Sequence, residues 1–314
     1  MLNGNAVTKV FIDGSAGTTG LRISERLAGL DGVEVLTLPE ALRKDASARA
    51  EAIAEADVAV LCLPDDAARE AAAMADASGT AVIDASTAHR VAPGWAYGFP
   101  ELSAAHRNAV ASSKRVAVPG CHASGFVALV FPLVEAGVIP TGAELTAFSL
   151  TGYSGGGKKM IAEYEAPERS PLYDGPRQYA LGQTHKHLPE MQAVTGLEKA
   201  PVFCPIVADF YSGMEVTVPL FADAINGGVD KIKEIYKAKY AGPVVRFCDG
   251  GDADGMLSAA AFSGRDDMAV GVFGNGERIL LTARFDNLGK GASGAAVQCL
   301  NVMRGADETT GLAL

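Results

Sequence analysis

Cysteine is scarce in this chain, with five in 314 residues, and no two of them stand as a Cys-x-x-Cys pair. An odd count without paired spacing argues against a disulfide framework and points to a reducing, cytoplasmic setting. Long apolar runs are missing too: no stretch approaches the roughly 20 residues needed to span a bilayer. The opening Met1-Leu-Asn-Gly-Asn-Ala-Val-Thr8 lacks the basic region and apolar core of an export signal. Positive charge is in deficit, with 27 Lys and Arg against 37 Asp and Glu and a net charge of −10, which argues against a nucleic-acid binder. A local basic pocket could still hold a small phosphate. Repeats, low-complexity tracts and long linkers are absent, leaving a chain whose length suggests two domains and whose 48% hydrophobic residues can fill their cores.

The first third alternates between strand and helix patterns. Thr8–Ile12, Val33–Leu38, Val58–Leu63, Ala81–Ile83 and Val116–Val118 read as strands. Thr19–Leu30 and Ala46–Ala56 read as helices, and a third helix runs to Ala77 with Asp65-Asp66 placed to cap it. This alternation predicts a parallel sheet with helices on both faces, an α/β Rossmann-type domain. After about Glu135 strand patterns dominate: Glu144–Leu150, Val202–Val207, Met214–Phe221, Val244–Phe247, Met268–Phe273 and Arg278–Phe285, with helices near Lys158–Glu165 and Val229–Ala238. These predict a second, α+β domain on a mainly antiparallel sheet. Leu288–Met303 reads as a final helix.

Between the first strand and first helix stands Gly14-Ser-Ala-Gly17-Thr-Thr-Gly20, spaced GxxGxxG. Glycines there let the backbone approach a pyrophosphate, whose charge meets the helix's first amides. A tight strand-to-helix turn uses glycine as well, but in the first unit of an alternating domain nucleotide binding is the better reading. The candidate cofactor contacts are Gly14, Ser15, Gly17, Thr18, Thr19 and Gly20. The end of the second strand supplies no well-placed acid for a ribose hydroxyl, whereas Arg43 and Lys44 stand nearby. That balance favours a 2′-phosphate, hence NADP(H) over NAD.

Cys62, Cys204 and Cys299 sit inside apolar runs and Cys248 follows one, so buried packing is expected for all four. Cys121, in Pro119-Gly-Cys-His-Ala-Ser124, differs: it follows a strand and a bend and opens a helix. Amides at a helix start stabilise a thiolate, so a nucleophile is favoured there over a small corner residue. Beside a nicotinamide, a thiol can carry an acyl group as a thioester that hydride transfer converts to an aldehyde. A proton partner must come from five histidines. His122 adjoins the thiol but faces away along a helix, and His89 and His106 read as solvated. His185 and His187, just ahead of a helix starting near Pro189, project to one face if the segment is extended. No third and fourth ligand with zinc-like spacing accompanies them, so acid–base work is favoured over metal binding, and either ring could do it.

Two motifs mislead. Gly152-Tyr-Ser-Gly-Gly-Gly-Lys158 fits the opening of a triphosphate loop, yet Lys159 occupies the hydroxyl position, leaving a glycine-rich cradle in which Lys158 could meet a phosphate. Asp252-Ala-Asp-Gly255 has the look of a calcium loop, but Gly250 and Ala261 stand at the first and last ligand positions, so it reads as a polar turn.

Five motifs in order carry a resemblance: the Gly14/Gly17/Gly20 loop, Pro119-Gly-Cys-His-Ala-Ser124, Gly152-Tyr-Ser-Gly155, His185-Lys-His-Leu-Pro-Glu190, and Asp286-Asn-Leu-Gly-Lys-Gly-Ala-Ser-Gly-Ala-Ala-Val-Gln298. Over about residues 8–303 the chain resembles the shorter type of N-acetyl-γ-glutamyl-phosphate reductase. The resemblance implies NADPH-dependent reduction of N-acetylglutamyl 5-phosphate to the 5-semialdehyde with phosphate release, a step of arginine biosynthesis. It implies a cytoplasmic homodimer or homotetramer, with a Rossmann domain over 1–121 and 286–314, its last helix returning, and a catalytic and oligomerising domain over 122–285. Cys121 would be acylated, His185 or His187 would be the acid–base, and Asn287 would join the cofactor contacts. Arg90, in Asp84-Ala-Ser-Thr-Ala-His-Arg90, would clamp a substrate carboxylate, with Ser154, Gly155 and Lys158 as further substrate contacts. Gly98-Phe-Pro-Glu101 matches a Pro-Glu pair whose role is structural. The sequence departs from the longer relatives in lacking an aromatic near the end of the first loop and in reading Lys158-Lys159 where arginine-lysine is common.

The rival enzyme readings are aspartate-semialdehyde dehydrogenase and the lysine-pathway reductases of carrier-bound acyl phosphates. The His185/His187 pair and the Asn287–Gln298 run disfavour the first, and the acidic net charge the second. A regulatory protein that senses NADP without catalysis is the reading from another class; it would need neither Cys121 nor the histidine pair.

Overall fold

The computed structural model describes residues 7–314, so only Val7 and Thr8 of the stretch read for an export signal lie within the described residues. The chain divides into two compact units: residues up to Pro119 together with Ala292–Leu312, and Gly120–Gly291 with the last two residues.

The first unit runs β1 (Thr8–Asp13), α1 (Thr18–Leu27), β2 (Val33–Leu36), α2 (Ala46–Glu55), β3 (Val58–Leu61), α3 (Asp65–Ser78), β4 (Ala81–Asp84), β5 (Ala96–Tyr97), α4 (Ala104–Ser112) and β6 (Arg115–Ala117). Its strands form one sheet in the order β2-β1-β3-β4-β6-β5, every neighbouring pair parallel. β3 and β4 are buried at each position, as a parallel sheet covered on both faces requires. One sheet face packs Val10, Ile12, Val60 and Ile83 with Ile23 and Leu27, and the other packs Phe11, Ala59 and Leu61 with Ile53 and the alanines of α3. Asp65 does not cap α3. It lies in the first turn, and its carboxylate accepts from the backbone and hydroxyl of Thr87 at 3.0 and 2.5 Å.

The second unit opens with α5 (Cys121–Glu135) and continues β7 (Thr146–Gly152), α6 (Gly157–Tyr164), β8 (Arg177–Gln178), α7 (Leu188–Thr195), β9 (Val202–Ala208), β10 (Met214–Phe221), α8 (Gly228–Lys239), β11 (Val245–Phe247), β12 (Met268–Gly274) and β13 (Arg278–Phe285). Its sheet has the order β11-β12-β13-β10-β7-β9-β8, antiparallel except at β11–β12 and β7–β9. Eleven residues of α5 are buried, because the helix is apolar all round and lies against β10 and β13. Pro132 inside α5 has no N–H to offer Ala128, and the Tyr240 hydroxyl donates to that carbonyl instead at 2.6 Å. Tyr236 does the same for Leu129 at 2.5 Å.

α9 (Gly294–Arg304) belongs to the first unit, where it packs on α4, α1 and β4. Its Gln298 donates to Glu101 at 2.7 Å, so the Pro-Glu pair anchors this returning helix. The expected single helix from Leu288 is interrupted: Gly289–Ser293 forms a wider π-turn before α9 begins.

Candidate active site

In the first unit, Gly14 opens the turn out of β1 with φ +87°, and a Cβ there would stand 2.3 Å from the carbonyl oxygen of Cys62. Gly20 is fixed by approach rather than by torsion, since its Cβ would lie 2.5 Å from the Gly14 carbonyl oxygen. Gly17 is the N-cap of α1 and offers no side-chain cap, while Thr18 and Thr19 open the helix. The first amides of α1 thus border a bare backbone loop. Beside it opens a cleft of about 350 Å³ lined by Gly14, Ser15 and Ala16 on one side and Leu38, Glu40, Arg43 and Lys44 on the other. Beneath the loop, Arg49 binds Asp13 at 2.9 Å and fixes the end of β1 to α2. The glycine cradle and the two cations at the cleft fit a dinucleotide carrying an extra phosphate.

Arg90 is held at the carboxyl ends of β4 and β6: its Nε donates to Val118 O at 3.0 Å and its Nη2 to Ala85 O at 3.2 Å. His89 does not stand in solvent as the sequence suggests. Its Nδ1 lies 2.6 Å from Oδ2 of the wholly buried Asp84, and its ring stacks on Trp95 at 4.0 Å. His106 is half-buried, its Nδ1 2.8 Å from the Ser103 hydroxyl.

The cysteines also correct the expectation. Only Cys299 is buried, whereas Cys62, Cys204 and Cys248 are half-buried like Cys121. Partial exposure does not make Cys62 reactive: burial of its thiol, then the charges of Asp84 and Asp13, push its pKa up to about 12.

In the second unit, Cys121 is the first residue of α5, with Gly120 as N-cap. The Gly120 N–H donates to Oε1 of the buried Glu190 at 2.8 Å, which fixes the backbone on which the thiol turns. From the π-turn, Gly291 closes on it so tightly that a Cβ there would lie 2.9 Å from the Cys121 Cβ. His185 and His187 meet, although the segment between them is a turn and not a strand, with ring centroids 4.7 Å apart and nearly perpendicular. Both lie 5.5 Å from the ring of His122. His187 is buried at the start of α7, while His185 is half-buried and its Nδ1 accepts from the His187 N–H at 3.2 Å. That bond places the proton of a neutral His185 on Nε2.

His122 is buried, and burial, then the neighbouring His185, lowers its pKa to about 3. Although it adjoins Cys121 on the helix and was expected to face away, it sits at the centre of the cluster. Its Nδ1 meets Ser149 Oγ and its Nε2 meets Tyr179 Oη, each at 2.6 Å. Asn287 accepts from the Gly213 N–H at 2.9 Å and donates to Ser154 Oγ at 3.0 Å, so in this unit it braces the Gly152–Ser154 turn. Gly155, in the turn before α6, and Lys158, in the first turn of α6, are exposed. Sequence reasoning missed Ser149 and Tyr179 and left Glu190 and Gly291 as parts of motifs without a role. Glu190, an acid in the first turn of a helix just past the histidine pair, and Gly291, in the glycine-rich run after Asp286, left a readable signal.

Comparisons with known proteins match both units of the chain. A model of the semialdehyde dehydrogenase NAD binding domain matches residues 6–110, and one of the semialdehyde dehydrogenase dimerisation domain matches 121–287. The N-acetyl-gamma-glutamyl-phosphate reductase of Rhizobium etli strain CIAT 652 is 45% identical over 305 residues, covering 94% of this chain and 98% of its own. The chain belongs to the N-acetyl-gamma-glutamyl-phosphate reductase family. A second member, N-acetyl-gamma-glutamyl-phosphate reductase 2 of Nostoc sp. PCC 7120, is 44% identical over 97% of this chain and 99% of its own. Among solved structures, aspartate semialdehyde dehydrogenase II of Vibrio cholerae shares this chain's fold at 16% identity, with a TM-score of 0.71 over 94% of this chain and 98% of that one. The enzyme of Candida albicans, solved with NADP, has a TM-score of 0.67 over 95% and 99%. The chain is therefore an oxidoreductase with a nicotinamide-cofactor domain. Among the described residues no helix is long and apolar enough to cross a membrane.

Proposed function

We propose that this protein reduces N-acetyl-L-glutamyl 5-phosphate to N-acetyl-L-glutamate 5-semialdehyde, with NADPH as reductant and release of phosphate, as a cytoplasmic step of arginine biosynthesis. The observation that carries the reading is Cys121 at the first turn of α5, its backbone fixed by Glu190 and the imidazoles of His185 and His187 gathered about its neighbour. The Cys121 thiolate attacks the acyl carbon, the bond from that carbon to the phosphate oxygen breaks, and phosphate leaves with its electron pair. A nicotinamide, when bound, supplies hydride to the resulting thioester. His185 Nε2–H donates a hydrogen bond to the acyl oxygen as that oxygen becomes an anion on the tetrahedral carbon, and the oxygen re-forms its carbonyl as the carbon–sulfur bond breaks, the aldehyde departs and Cys121 is left as a thiolate. Of the two histidines, His185 suits this role because it is the less buried and its proton is already directed to Nε2.

Gly14, Ser15, Gly17, Thr18, Thr19 and Gly20 would hold the cofactor's phosphates, and Arg43 with Lys44 its 2′-phosphate. Arg90, Ser154, Gly155 and Lys158 are the substrate contacts, Arg90 for the carboxylate and the glycine-rich turn for the phosphoryl group. Asn287 serves the site by bracing Ser154.

The assembly is a homo-oligomer built on the second unit's sheet. Opposite α5, the register aligns Phe148 with Cys204 and Leu150 with Ile206, and Pro219 with Leu280. Phe148, Val202, Phe221 and Leu280 are 43–66% exposed there, large apolar side chains gathered on one sheet face, as at a surface that another copy covers.

A panel of N-acetylglutamyl, aspartyl and aminoadipyl phosphates, each followed by nicotinamide absorbance with NADPH and NADH, tests the assignment. The acetylglutamyl compound with NADPH is expected to be fastest, and Arg43→Ala is expected to cut the NADPH preference about tenfold, the value of one charge-assisted contact. A fastest reaction on aspartyl phosphate would replace the substrate. NADPH binding with no turnover of any acyl phosphate would favour the sensing protein.

A further inference from the structure

β4 ends on a wholly buried carboxylate, Asp84, and among the described residues no lysine or arginine pairs with it. Taking a carboxylate out of water is costly unless hydrogen bonds replace its hydration. Here the segment just after the strand supplies them. Oδ1 accepts from the Ser86 N–H at 2.8 Å. Oδ2 accepts from the Ser86 hydroxyl at 2.7 Å and, because a carboxylate only accepts, from His89 Nδ1–H at 2.6 Å. The Ser86 oxygen in turn accepts from the Ala88 N–H at 3.1 Å, and the stack on Trp95 fixes the His89 ring from its flat side. Asp65 adds a second anchor by holding both the N–H and the hydroxyl of Thr87.

The residue that follows this braced segment is Arg90. Its guanidinium is tied back to the same aspartate by a second route. The Asp84 carbonyl accepts from the Val118 N–H at 2.8 Å, and the Val118 carbonyl accepts from Arg90 Nε at 3.0 Å. Arg90 Nη2 donates to Ala85 O at 3.2 Å, and the Ala85 N–H is itself bound to Leu61 O at 2.9 Å. Asp84 thus controls both ends of the arginine. Its side chain fixes the main chain from which Arg90 springs, and its carbonyl fixes the Val118 backbone on which the guanidinium rests. A planar guanidinium recognises a carboxylate by matched geometry, so where it is held decides how well a carboxylate is told from a neutral amide.

We infer that Asp84 is a positioning residue that sets substrate specificity, holding the Arg90 guanidinium through Ser86 and His89 in the place where it selects the substrate's α-carboxylate. The inference rests on the reading of Arg90 as the carboxylate clamp and adds the group that fixes that clamp.

The test compares two substrates on the full chain: N-acetylglutamyl 5-phosphate, and the same acyl phosphate with its α-carboxylate converted to a carboxamide. Each is followed with NADPH in wild type, Arg90→Ala, Asp84→Asn and Ser86→Ala. Wild type is expected to prefer the carboxylate by about 100-fold in kcat/KM, roughly the value of two charge-assisted bonds, and Arg90→Ala to lose that preference. In Asp84→Asn an amide NH2 replaces one acceptor oxygen, so the bonds to Ser86 and His89 must rearrange. Its preference is expected to fall about 10-fold, through KM for the carboxylate, while kinetics on the carboxamide change less than about twofold. Ser86→Ala is expected to act in the same direction by less, and it carries the same readout should the asparagine variant not fold. A preference that neither variant moves, or an equal loss on both substrates, would overturn the role of Asp84 and leave the clamp standing. A wild type indifferent to the amide, or an Arg90→Ala chain that keeps the preference, would overturn the clamp itself.

Discussion

Replacing Cys121 with serine is expected to lower kcat by about 10⁴-fold or more while NADPH binding, followed by fluorescence titration, changes less than about twofold. The exchange is nearly isosteric, so Gly291 still closes on position 121 and Glu190 still holds Gly120. What changes is ionisation: a hydroxyl keeps its proton near neutral pH where a thiol at a helix start can lose it. Cofactor affinity is expected to persist because the glycine loop and the Arg43 cleft belong to the other unit. Equal loss of turnover and binding would make Cys121 a structural residue.

The second large effect is expected at His185. His185→Asn is expected to lower kcat by about 10²–10⁴ with little change in KM, and to remove the ionisation of a single imidazole from the pH–rate profile. Asparagine can still accept from the His187 N–H, so the turn into α7 keeps its bond while the imidazole Nε2–H donor is gone. His187→Asn acts on a buried ring at the start of α7, and its expected signature is a lowered melting temperature with a smaller loss of rate. An unchanged rate in the His185 variant, with loss in the His187 variant alone, would exchange their roles.

Much of this architecture could be read before any coordinates. β10 and β13 have the bounds that their alternation predicts, because one side of each strand faces α5 and the other does not. The glycine loop was legible since the torsion at Gly14 and the close approach at Gly20 leave no space for side chains. β5 and β8 were not, because two residues at a sheet edge are too short to show any period. The half-buried thiols were misread for a related reason. Cys204 lies in an apolar run, but it sits on the sheet face opposite α5, and an oligomer's surface has the composition of a core. The Ser149–His122–Tyr179 chain left no mark in sequence, since its members stand 27 and 57 residues apart and adopt their roles only through burial. His89 was assigned to solvent because nothing in a single sequence announces that Asp84 and Trp95 will enclose it.

The covalent step is open to direct observation. Protein mixed with N-acetylglutamyl 5-phosphate in the absence of NADPH, quenched in acid within one turnover and weighed intact, is expected to gain one N-acetylglutamyl group. Peptide mapping should place that group on Cys121, and the Cys121→Ser chain should gain nothing. An unmodified mass in a preparation that reduces the same substrate once NADPH is added would contradict a thioester.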